Sequence, residues 1–168
     1  PIEIKVFNRK IRSKTNGINR YEIRYPPHPM ASRNYFELSH FNKSIFLGVK
    51  NNHSVELPSG EYLDKILNIF NIDNLDEMAG QCLVHINLTK ELKEIQVNGI
   101  GRSGHIGTDI FYLDKDGVIS TDVSRLTEKI FIRGDLEGML NIKFKYSNGS
   151  EEYLKTICAW SVYLVEQL

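Results

Sequence analysis

The chain has two cysteines, one tryptophan and a formal net charge of zero, and each scarcity removes a class of protein. Two cysteines cannot build the multi-bridge framework that staples small secreted proteins. Cys82 and Cys158 each sit inside an apolar segment, the usual place of a reduced cysteine acting as a small buried hydrophobe. A reducing cytoplasm is therefore the expected location, with one disulfide as the only alternative pairing. No apolar run approaches the roughly 20 residues that span a bilayer, and the opening PIEIKVFNRK lacks the apolar stretch of a signal peptide. Neither a membrane span nor export is expected.

Chemical signatures are equally sparse. There is no C-x-x-C, and His28, His40, His53, His85 and His105 form no close pair at ligand spacing. The segment DKDG at 114–117 carries only the first part of a calcium loop and lacks the later acidic ligand, so turn chemistry accounts for it. Neither a Walker sequence nor a nucleophile elbow occurs. No metal and no cofactor are expected.

One motif needs an argument. Gly99, Gly101 and Gly104 in NGIGRSGHIGTD follow the G-x-G-x-x-G order of a dinucleotide-binding turn. That turn works only between a strand and a helix, because the pyrophosphate needs both close backbone approach and the amides of a helix N-terminus. The upstream KEIQVN is a credible strand, but downstream HIGTDIFYLDKDG alternates and turns, with no helix start. The segment reads as an interstrand loop over 99–109. Its Arg102, Ser103, His105 and Asp109 are the best remaining place for an enzyme site, with His105 and Asp109 as an acid–base pair.

The rest of the chain is ordinary in amount and informative in pattern. Apolar residues make up 41% and charged residues 25% of 168 residues, enough for one folded domain over 1–168. The dominant period is two, the signature of half-buried strands. It appears in IEIKV and INRYEIRY, which read as a hairpin with a basic tip around Asn16-Gly17, and again at 35–39, 44–50 and 53–57. It resumes in QCLVHINL, KEIQVNG, TDIFYL, GVIST, EKIFIR and MLNIKFKY, with hairpin turns at 114–117 and 147–150. The last segment, 151–165, fits strand or helix, and its β-branched and aromatic content favours strand.

One stretch departs from period two. Leu63, Ile66, Leu67 and Phe70 fall at i, i+3, i+4 and i+7, with Glu61, Asp64, Lys65 and Asn68 opposite and Ser59 as N-cap. A further helical turn is expected at 75–79. The fold class is therefore α+β: a mainly antiparallel sheet, curved or a sandwich, with one principal amphipathic helix at about 59–70.

Charge is unevenly distributed along the chain. Residues 1–33 hold eight basic groups against Glu3 and Glu22, a net of +6 that the remainder balances with −6. Arg9, Lys10, Arg12, Lys14 and Arg20 mark a candidate nucleic-acid contact, with tyrosines nearby for stacking. A pI near 7.4 shows no domain-wide basic excess, which favours ordinary solvated loop charge. The opposite cluster, Glu61, Asp64, Asp73, Asp76 and Glu77, is either a soluble helix face or a surface that mimics phosphates and plugs a basic cleft.

A small α+β chain rich in Ile, Asn and Lys, without a catalytic motif and with this split charge, resembles the immunity proteins of bacterial contact-dependent inhibition and polymorphic-toxin systems. The resemblance is one of size, style and composition, and no family residue maps onto this chain. It implies a cytoplasmic stoichiometric inhibitor that binds a cognate toxin domain, commonly a nuclease, through the acidic cluster, with edge-strand pairing as another mode. The alternatives are a nucleic-acid-binding module at the basic hairpin and a small enzyme at the loop 99–109.

Overall fold

The computed structural model describes residues 3–6, 9–10, 14–15, 21–22, 33–40, 43–50, 60–72, 81–101, 108–134, 138–158 and 162–168. Fourteen strands and one helix lie among them. The strands are β1 (Glu3–Val6), β2 (Arg9–Lys10), β3 (Lys14–Thr15), β4 (Tyr21–Glu22), β5 (Arg33–His40), β6 (Lys43–Lys50) and, after helix α1 (Gly60–Ile69), β7 (Cys82–Asn87). They continue as β8 (Leu92–Gly101), β9 (Thr108–Asp114), β10 (Ile119–Ser120), β11 (Thr127–Gly134), β12 (Gly138–Tyr146), β13 (Glu151–Cys158) and β14 (Val162–Gln167).

A large sheet in the order β10-β9-β11-β7-β14-β6-β5-β1-β2 faces a small one, β13-β12-β8, while β3 and β4 pair separately. Every pairing is antiparallel except those of β14, which lies parallel to both β6 and β7. Among the described residues the chain is mainly β, with very little helix. The mainly antiparallel sheet is as expected, and the α+β class with a principal helix is corrected: α1 is a ten-residue cover on one face of a sheet.

Burial follows from the alternation of side chains along each strand. In β12, Leu140, Ile142, Phe144 and Tyr146 point at the large sheet and are at most 1% exposed. They meet Cys82, Val84 and Ile86 of β7, Ile130 and Ile132 of β11, and Tyr112 of β9, forming one core between the sheets. A second core lies on the other face of the large sheet, where Leu83, Phe131, Tyr163 and Val165 pack against Ile66, Leu67 and Phe70 of α1. All six residues of β7 are buried because both of its faces are covered. Each such large apolar side chain contributes roughly 1.5–3 kcal/mol relative to exposure.

Local chemistry explains the ends of these elements. α1 stops at Asn71, whose φ of 53° lies in the left-handed region. The Ile72 amide donates to Leu67 O at 2.9 Å and the Asn71 amide to Asn68 O at 3.0 Å, the bond pair of a Schellman cap. Ile72 and Leu67 then share the same core, as that cap requires. In the β9–β10 hairpin, Asp114 Oδ1 accepts from the amides of Asp116 and Val118, and Gly117 supplies a φ of 80°. In the β12–β13 hairpin, Asn148 Oδ1 accepts from Ser150 N at 2.9 Å, with Gly149 at 83°.

Several expectations are redrawn. Among the described residues, IEIKV pairs not with INRYEIRY but with β2, Lys5 opposite Lys10, and with β5, Lys5 opposite Glu37. The β3–β4 ladder is a separate hairpin, with Lys14 opposite Glu22. The strand expected at 53–57, the helical turn at 75–79 and the N-cap Ser59 lie outside the described residues. The final segment is strand, but two strands in different sheets: β13 belongs to the small sheet and β14 is inserted between β6 and β7 in the large one.

The cysteine expectation is also corrected. Cys82 and Cys158 form a disulfide, with Cα atoms 5.4 Å apart and a sequence separation of 76. Both residues are at most 1% exposed, so they do occupy the apolar positions expected of them. Facing strands in two docked sheets bring together what sequence separation hides.

Candidate functional site

Polar groups in the interior are where a β-rich chain hides chemistry, since burying them without partners costs free energy. Two groups of them stand out here.

The first lies between the sheets and is organised by β13. Its inward-facing residues are Glu152, Leu154, Thr156 and Cys158. Cys158 is bonded to Cys82 on β7, and the Thr156 hydroxyl donates to Glu166 Oε1 of β14 at 2.5 Å. Lys50 Nζ of β6 meets Glu152 Oε1 at 2.5 Å. One strand is thus tied in turn to three adjacent strands of the opposite sheet. The register places Lys50 six residues beyond the level of Cys82 and two strands across, which corresponds to an inter-sheet crossing of roughly 25–30°, the aligned class of sandwich.

Glu166 is fully buried in this row. Its carboxylate occupies the space over Gly48, directly opposite on β6: a Cβ built there would lie 2.1 Å from Glu166 Oε2. Gly48 is therefore glycine because the carboxylate takes the side-chain volume. At the far end, Glu152 Oε2 accepts from the Tyr146 hydroxyl at 3.1 Å, and Lys90 lies 3.7 Å from it and 4.8 Å above the Tyr146 ring. Burial alone would raise the Glu152 carboxyl, but Lys50, Tyr146 and Lys90 outweigh it and hold it below the usual carboxylate range. Burial, then the Glu152 charge, pushes the Tyr146 hydroxyl well above its ordinary value.

The second group lies on the α1 side of the large sheet. His85 is placed opposite Cys82, Val84 and Ile86, as strand alternation requires, and is 1% exposed. Its Nδ1 is 2.8 Å from the Tyr163 hydroxyl, and its ring sits 4.7 Å from that of Phe131. Burial, reinforced by the positive charge of Lys129, lowers its pKa to about 3. The Asn87 amide, near the ring but outside hydrogen-bonding geometry, pushes weakly the other way. An imidazole that stays neutral down to pH 3 is a poor proton shuttle near neutrality, so this group is a packed polar contact rather than an acid–base pair.

The burial of a neutral histidine has a measurable consequence. The folded pKa lies below the unfolded value of 6.5, so between them the unfolded chain binds the extra proton and stability falls as pH falls. The contribution is whole above about pH 6.5 and is lost toward pH 3, at up to about 1.4 kcal/mol per pH unit. Urea unfolding at pH 7 and pH 5 should therefore differ by about 2 kcal/mol. In His85→Leu that difference should shrink to what the carboxylates contribute. An unchanged pH slope in the variant would remove His85 as its cause.

The residues singled out by sequence are placed as follows. Glu61 and Asp64 are exposed on the outer face of α1, with Lys65 Nζ 3.5 Å from Glu61. Asp73, Asp76 and Glu77 lie outside the described residues, as do Arg12 and Arg20. Arg9 and Lys10 form β2 at the end of the large sheet, and Lys14 is in β3. Gly99 and Gly101 end β8, paired with Leu140 and Gly138 of β12. The next described element after the 102–107 segment is β9, in the other sheet, so the loop expected over 99–109 is narrowed by strand residues at both ends and does not lie in a βαβ unit. Asp109 is held by Arg133 at 2.8 Å, and Arg133 also donates to Phe70 O, fixing the end of α1. His105 lies outside the described residues.

Among the described residues, no three His, Cys, Asp or Glu side chains converge to hold a metal ion. None of the described helices is long and apolar enough to cross a membrane. No family model, curated protein or solved structure matches this chain.

Glu166 and Gly48 escaped the sequence reading, although signals existed. A glycine inside an otherwise apolar strand marks close approach, and Glu166 continues the period-two face of Val162 and Leu164.

Proposed function

We propose that the protein is a binding protein that neutralises a cognate toxin domain, a nuclease, by stoichiometric contact through the acidic outer face of α1. The observation that carries this reading is the presentation of Glu61 and Asp64: both are exposed, on a helix whose inner residues Ile66, Leu67 and Phe70 are buried in the large-sheet core. Acidic groups on a rigid element lose little freedom on binding and steer a basic partner toward the helix. The two internal polar groups support a non-catalytic role, since one clamps the sheets and the other holds a neutral imidazole. The cytoplasm, where a nuclease acts on nucleic acid, is part of this proposal. A copy held there carries Cys82 and Cys158 as thiols, because cytosolic thiol pools keep such pairs reduced.

The test is titration of the purified chain against the nuclease domain encoded beside its gene. One-to-one binding that silences the nuclease is expected. The double reversal Glu61→Lys/Asp64→Lys should weaken it at least about tenfold, mainly through slower association, with unfolding unchanged within about 0.5 kcal/mol. Undiminished binding by the folded double variant would remove α1 from the interface, and the lack of any such neighbour would remove the reading.

A second reading has its own observation. The β1–β2 register sets Lys5 opposite Lys10, one step from Arg9, at the edge of the large sheet. Like charges directly opposite are unfavourable in a ladder and favourable beside phosphates. Steeply salt-dependent binding to DNA or RNA, abolished by reversing Arg9, Lys10 and Arg12, would favour this reading over the first.

A further inference from the structure

We propose that the Cys82–Cys158 bond is a redox lock on the docking of the small sheet. The argument starts from what else holds β13 against the large sheet. The ion pairs of Glu152 with Lys50 and Lys90 are partly exposed, with the two lysine side chains 37% and 47% accessible, so water and salt weaken them. The Thr156–Glu166 contact is dry, but it exists only because docking strips water from a carboxyl group. Undocking returns that group to water, so this contact too weakens once water enters the interface. The apolar core opposes separation, and among the described residues the disulfide is the one tie along β13 whose strength does not depend on excluding water.

Its position makes it a lock on one layer. It joins the last residue of β13 to the first of β7, which lies inside the large sheet with both faces covered. Reduction leaves two neutral thiols in the same apolar surroundings, so the docked state stays available while the open state gains freedom. The chemistry balances with a small dithiol as reductant. Its thiolate attacks one sulfur, its second thiol displaces the mixed disulfide, and two electrons and two protons yield Cys82 and Cys158 thiols as the dithiol becomes a cyclic disulfide. Because both cysteines are buried, attack follows local opening of the interface, and the lock is insensitive to brief exposure.

Amide hydrogen exchange on the full chain tests the proposal in three states: oxidised, reduced with dithiothreitol, and as Cys82→Ala/Cys158→Ala, which serves if the reductant does not reach the bond. Peptides of β8, β12 and β13 should exchange at least about tenfold faster without the bond, and by a larger factor than those of β7 and β11, which open only with the whole fold. Equal small-sheet rates with and without the bond would overturn the proposal. So would equal acceleration in both sheets, which would make the bond a brace for the whole fold.

Discussion

Gly48→Ala is expected to destabilise the protein by about 3 kcal/mol, from overpacking together with loss of a buried hydrogen bond. The added Cβ would lie 2.1 Å from Glu166 Oε2 and 2.3 Å from its carboxyl carbon. Elsewhere a flexible side chain would swing aside. Here Glu166 is fully buried and hydrogen-bonded to Thr156, and moving it breaks that bond without opening a path to water. The carboxylate must leave its donor or the β6 and β14 backbones must part. A double-mutant cycle separates these effects. Glu166→Ala alone is destabilising, because it leaves a void and strips Thr156 of its acceptor. Adding Gly48→Ala to it should cost almost nothing further, giving a coupling of about 2–3 kcal/mol between sites in contact. Additive losses in urea unfolding would mean that Gly48 is required for its backbone and not for the space it leaves.

Cys82→Ala/Cys158→Ala is the second large loss, about 4 kcal/mol. The bond spans 76 residues, and closing a loop of that size in the unfolded chain removes entropy equivalent to about 4 kcal/mol. For a chain of this length that is a fall of roughly 8–16 °C in melting temperature. The loss should appear on reduction of the wild-type protein as well, and the variant should no longer respond to reductant. A variant melting within about 2 °C of the oxidised protein, well short of the shift just estimated, would show that the bond adds little to a fold the two cores already fix.

These effects fall on features that the sequence reveals unevenly. Period two identifies the buried face of a strand from its own residues, which is why Leu140, Ile142, Phe144 and Tyr146 of β12 are legible in one pass. The turns at Asp114–Gly117 and at 147–150 are equally local, since Asp, Asn and Gly close them with their own atoms. Which strand lies beside which is not local. Nothing between residues 1 and 33 distinguishes a β1–β4 hairpin from the observed β1–β2 and β1–β5 pairings, because the alternation is the same in both.

The last segment shows the limit most clearly. A single alternating face through Leu154, Thr156, Cys158, Val162 and Leu164 suggests one strand. The chain instead leaves the small sheet after Cys158 and enters the large one at Val162, where β14 lies parallel to neighbours more than seventy residues away. That crossing creates the row of Cys158, Thr156 and Glu152 over β7, β14 and β6, so the disulfide and the buried Glu166 became visible only with the topology. The acidic face of α1 is the reverse case. Glu61 and Asp64 were found from helical periodicity alone, because exposure on an amphipathic helix is decided by the helix itself.

The account depends on two sheets clamped face to face along β13, and the covalent tie is its most direct test. The folded chain, purified without reductant and oxidised in air, is unfolded in denaturant containing an alkylating reagent and weighed. The account predicts no alkyl group on either cysteine, and two after prior reduction. Two alkyl groups on the unreduced chain, from protein that had been folded, would contradict it.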